Sequence, residues 1–369
     1  MSTKPGSIQY DSIQAFRGLA ALAVMFFHFR WLINNESPNT GDYLFGWGAI
    51  GVDLFFIISG FVITLSAQKL DTGVSASLTF IKSRLKRIMP TYFIILLVVF
   101  ILSGGMSIFH YSEKLANLVS ALTFRPIYTF NAPFYINDSG VYGVRWTLNY
   151  EIYFYLVSSL CLLTKRPLLC LLSFFITALV IIPVICGQQF TLSSEGYQFN
   201  NPYLNLLTNP ISWMFISGVL IAKLVPLAQR LPATLRVTYL ACVTLYTVYS
   251  LFFLKQIGHG LLSSGFALIL LMSGVVMNDT WLRRFTPRWL IFIGNISYSL
   301  YLIHTLMNTG LGKRLAWTGL SDGVTGFIIY SVISLILATL SYRYIETLFF
   351  SRSKKVNQNR KTDGLIADK

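Results

Sequence analysis

Four ionisable side chains, His28, Asp53, Glu151 and His304, stand inside long apolar runs of this chain. An imidazole can take a proton from a hydroxyl near neutral pH. A buried carboxylate can hold the imidazole tautomer and stabilise the imidazolium that forms. These are the parts of a general base. His28 closes the run Gly18 to Phe27, Asp53 follows Gly51-Val52, Glu151 lies five residues after Trp146, and His304 ends Ile296-Ser297-Tyr298-Ser299-Leu300-Tyr301-Leu302-Ile303. Ionisable groups within membrane helices are costly and mark function by default. The blander reading is pairing for packing specificity. It explains a single buried histidine about as well as catalysis does, but it explains two histidines with two acids poorly.

A second set is cationic. Arg17 heads the first run, and Arg84 and Arg87 lie in Ser83-Arg84-Leu85-Lys86-Arg87-Ile88-Met89-Pro90, with Pro90 suited to the first turn of a new helix. Arginines at i and i+3 share a helix face and can clamp a phosphate bidentately, although on spacing alone ordinary membrane anchors explain them better. Ser59 offers a hydroxyl, but a serine bonding to its own helix is commoner than a nucleophile. Gly60 suits close helix approach. Trp146, with Tyr150 and Tyr153, suits a membrane interface. Arg343 and Glu346, at i and i+3, read as a structural pair. Cys161, Cys170, Cys186 and Cys242 lack metal-ligand spacing, so neither a zinc site nor a disulfide framework is supported.

The elements that must carry these groups are membrane helices. Of 369 residues 54% are hydrophobic and 12% charged, against about 25% charged in soluble domains. Ten apolar spans are expected, at 13–34, 46–68, 88–109, 146–164, 168–187, 209–225, 234–254, 258–277, 289–310 and 324–347, each close to the ~20 residues a bilayer needs. The fold class is therefore all-α and polytopic. The first run has no small-residue cleavage site and reads as a retained helix. The net charge of +15 sits in short segments, among them 69–87, 165–166, 223–236 and 278–288, whereas 35–45 and 188–208 hold no Lys or Arg. This alternation puts both termini in the cytoplasm. It also makes the lipid bilayer, not nucleic acid, the partner of the basic residues. Residues 1–350 form one integral membrane domain. The segment 110–145 is a partly ordered outer loop, and 351–369 is a basic, disordered tail. A homo-oligomer is compatible with this organisation.

At 1.5 Å per residue, His28, Asp53, Glu151 and His304 each fall ~6 Å to the outer side of their span midpoints, in one layer. Ser59 falls ~9 Å further in than Asp53 along its helix.

In order, these segments resemble the membrane-bound acyltransferase-3 family over about residues 8–350. The matching parts are Ile13-Gln14-Ala15-Phe16-Arg17-Gly18 leading to His28, Gly51 to Phe61, Ser83 to Pro90, Trp146-Thr147-Leu148 with Glu151, Ile296 to His304, and Tyr344-Ile345-Glu346. The opening and the Trp47 to Phe61 stretch look most like exopolysaccharide and lipopolysaccharide O-acetyltransferases. The chain departs from the family pattern at Ile152, where a second acid is common, and at Thr347-Leu348. The resemblance implies transfer of an acyl group, usually acetyl, from cytoplasmic acetyl-CoA across a bacterial inner membrane to a carbohydrate hydroxyl. It implies that Arg17 and His28 are essential and that Arg84 and Arg87 serve the acyl-CoA. Asp53 or Glu151 would orient His28, with Ser59, Trp146 and His304 in support and no metal required. Direct transfer and an acyl-histidine route both remain open. Some members carry a fused esterase-like domain, which this chain is expected to lack. The rival readings are a transporter or flippase, which would also use intramembrane His and acids, and a hydrolase using Ser59.

Overall fold

The computed structural model describes residues 10–102, 105–136, 143–308, 312, 319 and 322–348, and every regular element among them is helical. The basic tail falls outside these residues. The helices are α1 (Asp11–Glu36), α2 (Thr40–Ala67), α3 (Val74–Leu102), α4 (Ser112–Thr123), α5 (Trp146–Cys161), α6 (Pro167–Ile185), α7 (Pro202–Ala228), α8 (Ala233–Phe253), α9 (Leu261–Met277), α10 (Arg288–Leu306) and α11 (Gly323–Glu346). All except α4, α5 and α9 are long and apolar enough to cross a membrane, which gives eight such helices. The expected fourth and eighth spans appear as the shorter α5 and α9. Helix α5 starts where expected and stops three residues early, whereas α9 starts three residues late. Arg145, just before α5, is held by Ser120 and Asn117 of α4 at 3.0 and 3.4 Å. The chain entering α9 turns inward to meet Asp53.

Helix α3 starts well before the expected 88. Its first turns are amphipathic, with Ala76, Ser77 and Phe80 buried and Lys82 and Lys86 exposed, so an apolar window passes over them. Pro90 therefore stands inside a helix, where it withholds a backbone donor, and not at a helix start. The segment 110–145 is also more ordered than expected over its described part. Tyr92 of α3 donates to the Ala121 carbonyl (2.8 Å), Tyr150 of α5 to the Pro133 carbonyl (2.9 Å), and Asn205 of α7 to the Thr129 carbonyl (2.9 Å).

In lipid, helices gain little from burying apolar surface against one another, so close packing must hold them together. Two glycine-mediated contacts supply it. A Cβ on Gly294 of α10 would strike the Gln14 carbonyl of α1, and one on Gly18 would come within 2.7 Å of the Leu290 carbonyl. Likewise a Cβ on Gly60 of α2 would strike the Phe215 carbonyl of α7, and one on Gly218 the Ile57 carbonyl. Around the second contact Phe215 packs between Phe154 (4.5 Å between centroids) and Phe56 (4.7 Å). Helices α1 and α10 run parallel, because Gly18 meets Leu290 at one level and His28 meets His304 further along both.

Because the obstructing atoms at Gly294 are backbone, Gly294→Ala should cost about 1–3 kcal/mol, the usual penalty for overpacking. Thermal unfolding in detergent should show a lower Tm, while Leu19→Ala on the exposed face of α1 should leave it unchanged. An unaltered Tm for Gly294→Ala would contradict the close α1–α10 contact.

Candidate active site

Three arginines converge because α1 and α3 flank one cavity. Arg17 comes from α1, and Arg84 and Arg87 from one face of α3, as their i and i+3 spacing requires. Helix α2 contributes Ser59, α5 contributes Thr147, Glu151 and Tyr155, and α10 contributes Ser297, Tyr298 and Tyr301. Glu151 accepts a hydrogen bond from Tyr155, one turn along α5, and lies 3.5 Å from the Ser59 hydroxyl. It is within electrostatic reach of Arg17 and Arg84. Arg17 also reaches the Gln14 side chain at 3.4 Å. One carboxylate facing three guanidiniums leaves the cavity cationic. Two of its polar atoms, Arg84 Nε and Ser297 Oγ, are buried without a hydrogen-bond partner, a condition that costs roughly 1–3 kcal/mol per group unless a ligand or water relieves it. The volume is about 80 Å³. That is well under the roughly 300–1,000 Å³ of a site that swallows a whole small molecule, so the cavity suits a thin chain with its bulky end outside.

Glu346 of α11 joins this end of the bundle. It accepts from the Ser299 hydroxyl at 2.6 Å and lies within electrostatic reach of Arg17 and Arg87. The expected pairing with Arg343 is replaced because residues Tyr342–Glu346 form a π-helical turn, in which i and i+3 no longer align. Arg343 rests instead over the Tyr344 ring.

The two histidines expected in the spans meet at the opposite end of α1 and α10. Their ring centroids are 5.0 Å apart. His304 Nδ1 lies 3.1 Å from the Leu300 carbonyl. A carbonyl can only accept, so Nδ1 carries a proton, and in the neutral ring Nε2 then keeps the lone pair. His304 Nε2 is buried without a partner. The backbone carbonyl of the half-buried His28 accepts from Asn308 at 3.1 Å.

Asp53 and Glu151 do not join this pair in the expected single layer. The fully buried Asp53 bonds His259 Nδ1 at 2.7 Å and the Gly260 backbone N–H at 2.8 Å. Glu151 sits with Ser59 in the arginine-lined cavity. A depth count along each helix fixes height but not which neighbours a side chain faces, and here it separated residues that touch. His259 lies between α8 and α9. Burial alone would lower its pKa, but the Asp53 carboxylate more than offsets this and holds the imidazole above its ordinary value. Trp146 packs against His259 (5.6 Å) and Phe134 (4.8 Å). It is buried against protein, with Phe134 of the 124–136 segment packed on it.

A line of polar groups joins the two ends. Above Glu151 and Ser59, the Thr147 and Tyr301 hydroxyls are 2.9 Å apart, and the Tyr301 ring lies 5.8 Å from His304. Sequence reasoning missed Tyr155, Tyr301, Ser297 and His259. Tyr155 at i+4 from Glu151 and Tyr301 at i−3 from His304 were legible as same-face neighbours. His259 was marked by its flanking glycines, at the first residues of the expected eighth span.

The acyltransferase domain of the acyltransferase-3 family matches residues 10–343. A Staphylococcus aureus (strain COL) protein named as a candidate O-acetyltransferase is 26% identical over 94% of this chain, which spans only 58% of that relative's length. Exopolysaccharide production protein ExoZ of Rhizobium meliloti (strain 1021) is 27% identical over 80% of this chain and 87% of its own. Nodulation protein 10 of Rhizobium leguminosarum bv. viciae is 27% identical over 59% of this chain and 61% of its own. No solved structure matches. With the match covering nearly its whole length, the chain belongs to the acyltransferase-3 family.

Proposed function

We propose that this chain is an O-acyltransferase that moves an acetyl group from acetyl-CoA, bound at the arginine end, to a hydroxyl of a surface polysaccharide or its lipid-linked precursor at the histidine end. The single observation that carries this reading is the line of polar groups from the arginine cavity through Thr147 and Tyr301 to His304 and His28. Family membership supports the reaction class, and the name of the Rhizobium meliloti relative supports the acceptor class. The Lys- and Arg-rich segments favour the arginine end as cytoplasmic, in a bacterial inner membrane.

In this reading Arg84 and Arg87, with Arg17, hold the donor's phosphates at the cavity mouth by charge-assisted bonds. The narrow cavity admits the thioester arm, and the unpartnered Ser297 Oγ and Arg84 Nε fit a polar chain passing them. His28 lies eleven positions beyond Arg17 along α1, or ~16 Å for the arm to cover. The Thr147–Tyr301 hydrogen bond closes that path and must open for the acyl group to pass. His28 takes the proton of the acceptor hydroxyl as its oxygen attacks the thioester carbon. The carbon–sulfur bond breaks, and the proton leaves with the CoA thiol. The neutral His304 offers its Nε2 lone pair to the second N–H of protonated His28, which stabilises the charge. Glu151 keeps the cavity's arginines from repelling one another.

A second reading has one observation in its favour. The His259–Asp53 pair has the carboxylate-oriented geometry of a general base. Separate substitutions distinguish the two. His28→Ala should lower acetyl transfer from acetyl-CoA by roughly 10²–10⁴-fold, as loss of a general base does, with the protein still inserted and abundant. His259→Ala should cost less and act through stability. Activity that survives in His28→Ala and vanishes in His259→Ala would move the base to His259.

Arg84→Ala with Arg87→Ala should raise the KM for acetyl-CoA by ~10-fold or more, since hydrogen bonds to charged groups contribute about 1.5–3 kcal/mol each. The KM for the acceptor should hold. Steady-state kinetics with each substrate varied would show this, and an effect confined to the acceptor would reassign the arginines.

A further inference from the structure

A second cavity, of about 450 Å³, lies on the other side of α2, sharing only Ile63 with the arginine-lined one. Its walls are apolar, formed by Ile63 of α2, Leu162, Leu171 of α6 and Val219 of α7. Two cations, Arg166 and Lys223, line it, and no acidic residue does. Both are exposed. Arg166 stands immediately before α6, whose first turn has no side-chain cap, leaving backbone N–H groups to face an anion. A further observation points to a ligand. Ser158 also lines the groove, is more than nine-tenths buried, and its hydroxyl has no hydrogen-bond partner. Beside the groove, Leu169 of α6 and Leu220 and Leu224 of α7 are exposed, as side chains facing hydrocarbon would be.

An apolar slot ending in two cations and an uncapped helix start, bordered by lipid-facing leucines, fits an amphiphile with one negative head and a hydrocarbon tail. We infer that this groove holds one anionic phospholipid, its phosphate between Arg166, Lys223 and the first turn of α6, and one acyl chain along Ile63, Leu171 and Val219. The charge complementarity selects an anionic lipid over a zwitterionic one. The apolar walls select a lipid over free phosphate. This site is separate from the arginine cavity, and its test does not depend on acyl transfer.

The test is native mass spectrometry of the full chain, stripped of lipid in detergent and offered phosphatidylglycerol and phosphatidylcholine at equal concentration. A bound phosphatidylglycerol that survives detergent washing is expected. Arg166→Glu with Lys223→Glu should lower its occupancy roughly tenfold or more, given the attraction each juxtamembrane cation contributes. Arg230→Glu, an exposed cation at the same end of α7 outside the groove, should leave occupancy unchanged. Thermal unfolding of the lipid-free double variant should match the parent, which shows that the loss is not one of folding. Equal retention of both lipids would mean a bulk lipid shell only and would overturn the site. So would full retention by the double variant, or displacement of phosphatidylglycerol by inorganic phosphate or acetyl-CoA.

Discussion

The close approach of α1 to α10 brings backbone against backbone at Gly18 and Gly294, and the polar interior depends on it. Gly18 and Gly294 remove the side chains that would hold the helices apart. His28 and His304 each lie ten residues beyond their glycine. Parallel helices locked at the glycines therefore bring both histidines to one level with their rings in contact range. The same registry turns Arg17 toward the cavity that Ser297, Tyr298 and Tyr301 line from α10. A few tenths of an ångström at the glycines would be felt at both ends, because membrane helices have little hydrophobic drive to re-close a gap.

Three polar clusters bear on the site, and the Thr147 and Tyr301 hydroxyls lie between two of them, the arginine cavity and the histidine pair. The arginine cavity is cationic and partly unsatisfied. At the histidine pair, His304 Nε2 is buried without a hydrogen-bond partner. The Asp53–His259 pair is satisfied at both carboxylate oxygens. Unsatisfied groups persist in folded proteins where ligands complete them, and those in the cavity and at His304 are among the ones found here. The satisfied pair instead ties the α8–α9 connection to α2, which shapes the wall on which Trp146 rests.

Much of the bundle was legible in the sequence because apolar runs and charge alternation report directly on membrane helices. The limits have particular causes. Helix α3 began early because an amphipathic turn carries too much charge for a hydropathy window. Helix α9 came out short because Asp53 draws the chain before it inward. Which side chains face the interior was legible: Arg17, Arg84, Arg87, Glu151 and Ser59 line the cavity, and the His28 and His304 rings adjoin. Their partnerships were not. Helical rise gives height, whereas partnership depends on rotation and on which helices adjoin, and only the fold supplies those. Asp53 turned to His259, which lies in the connection between α8 and α9.

The most direct test of transfer through the bundle uses proteoliposomes with labelled acetyl-CoA on one side only and a surface-polysaccharide oligosaccharide enclosed on the other. A polar path crossed by the acyl group predicts label on the enclosed oligosaccharide, dependent on intact His28, with CoA released on the donor side. Label appearing only on oligosaccharide supplied on the donor side would contradict it.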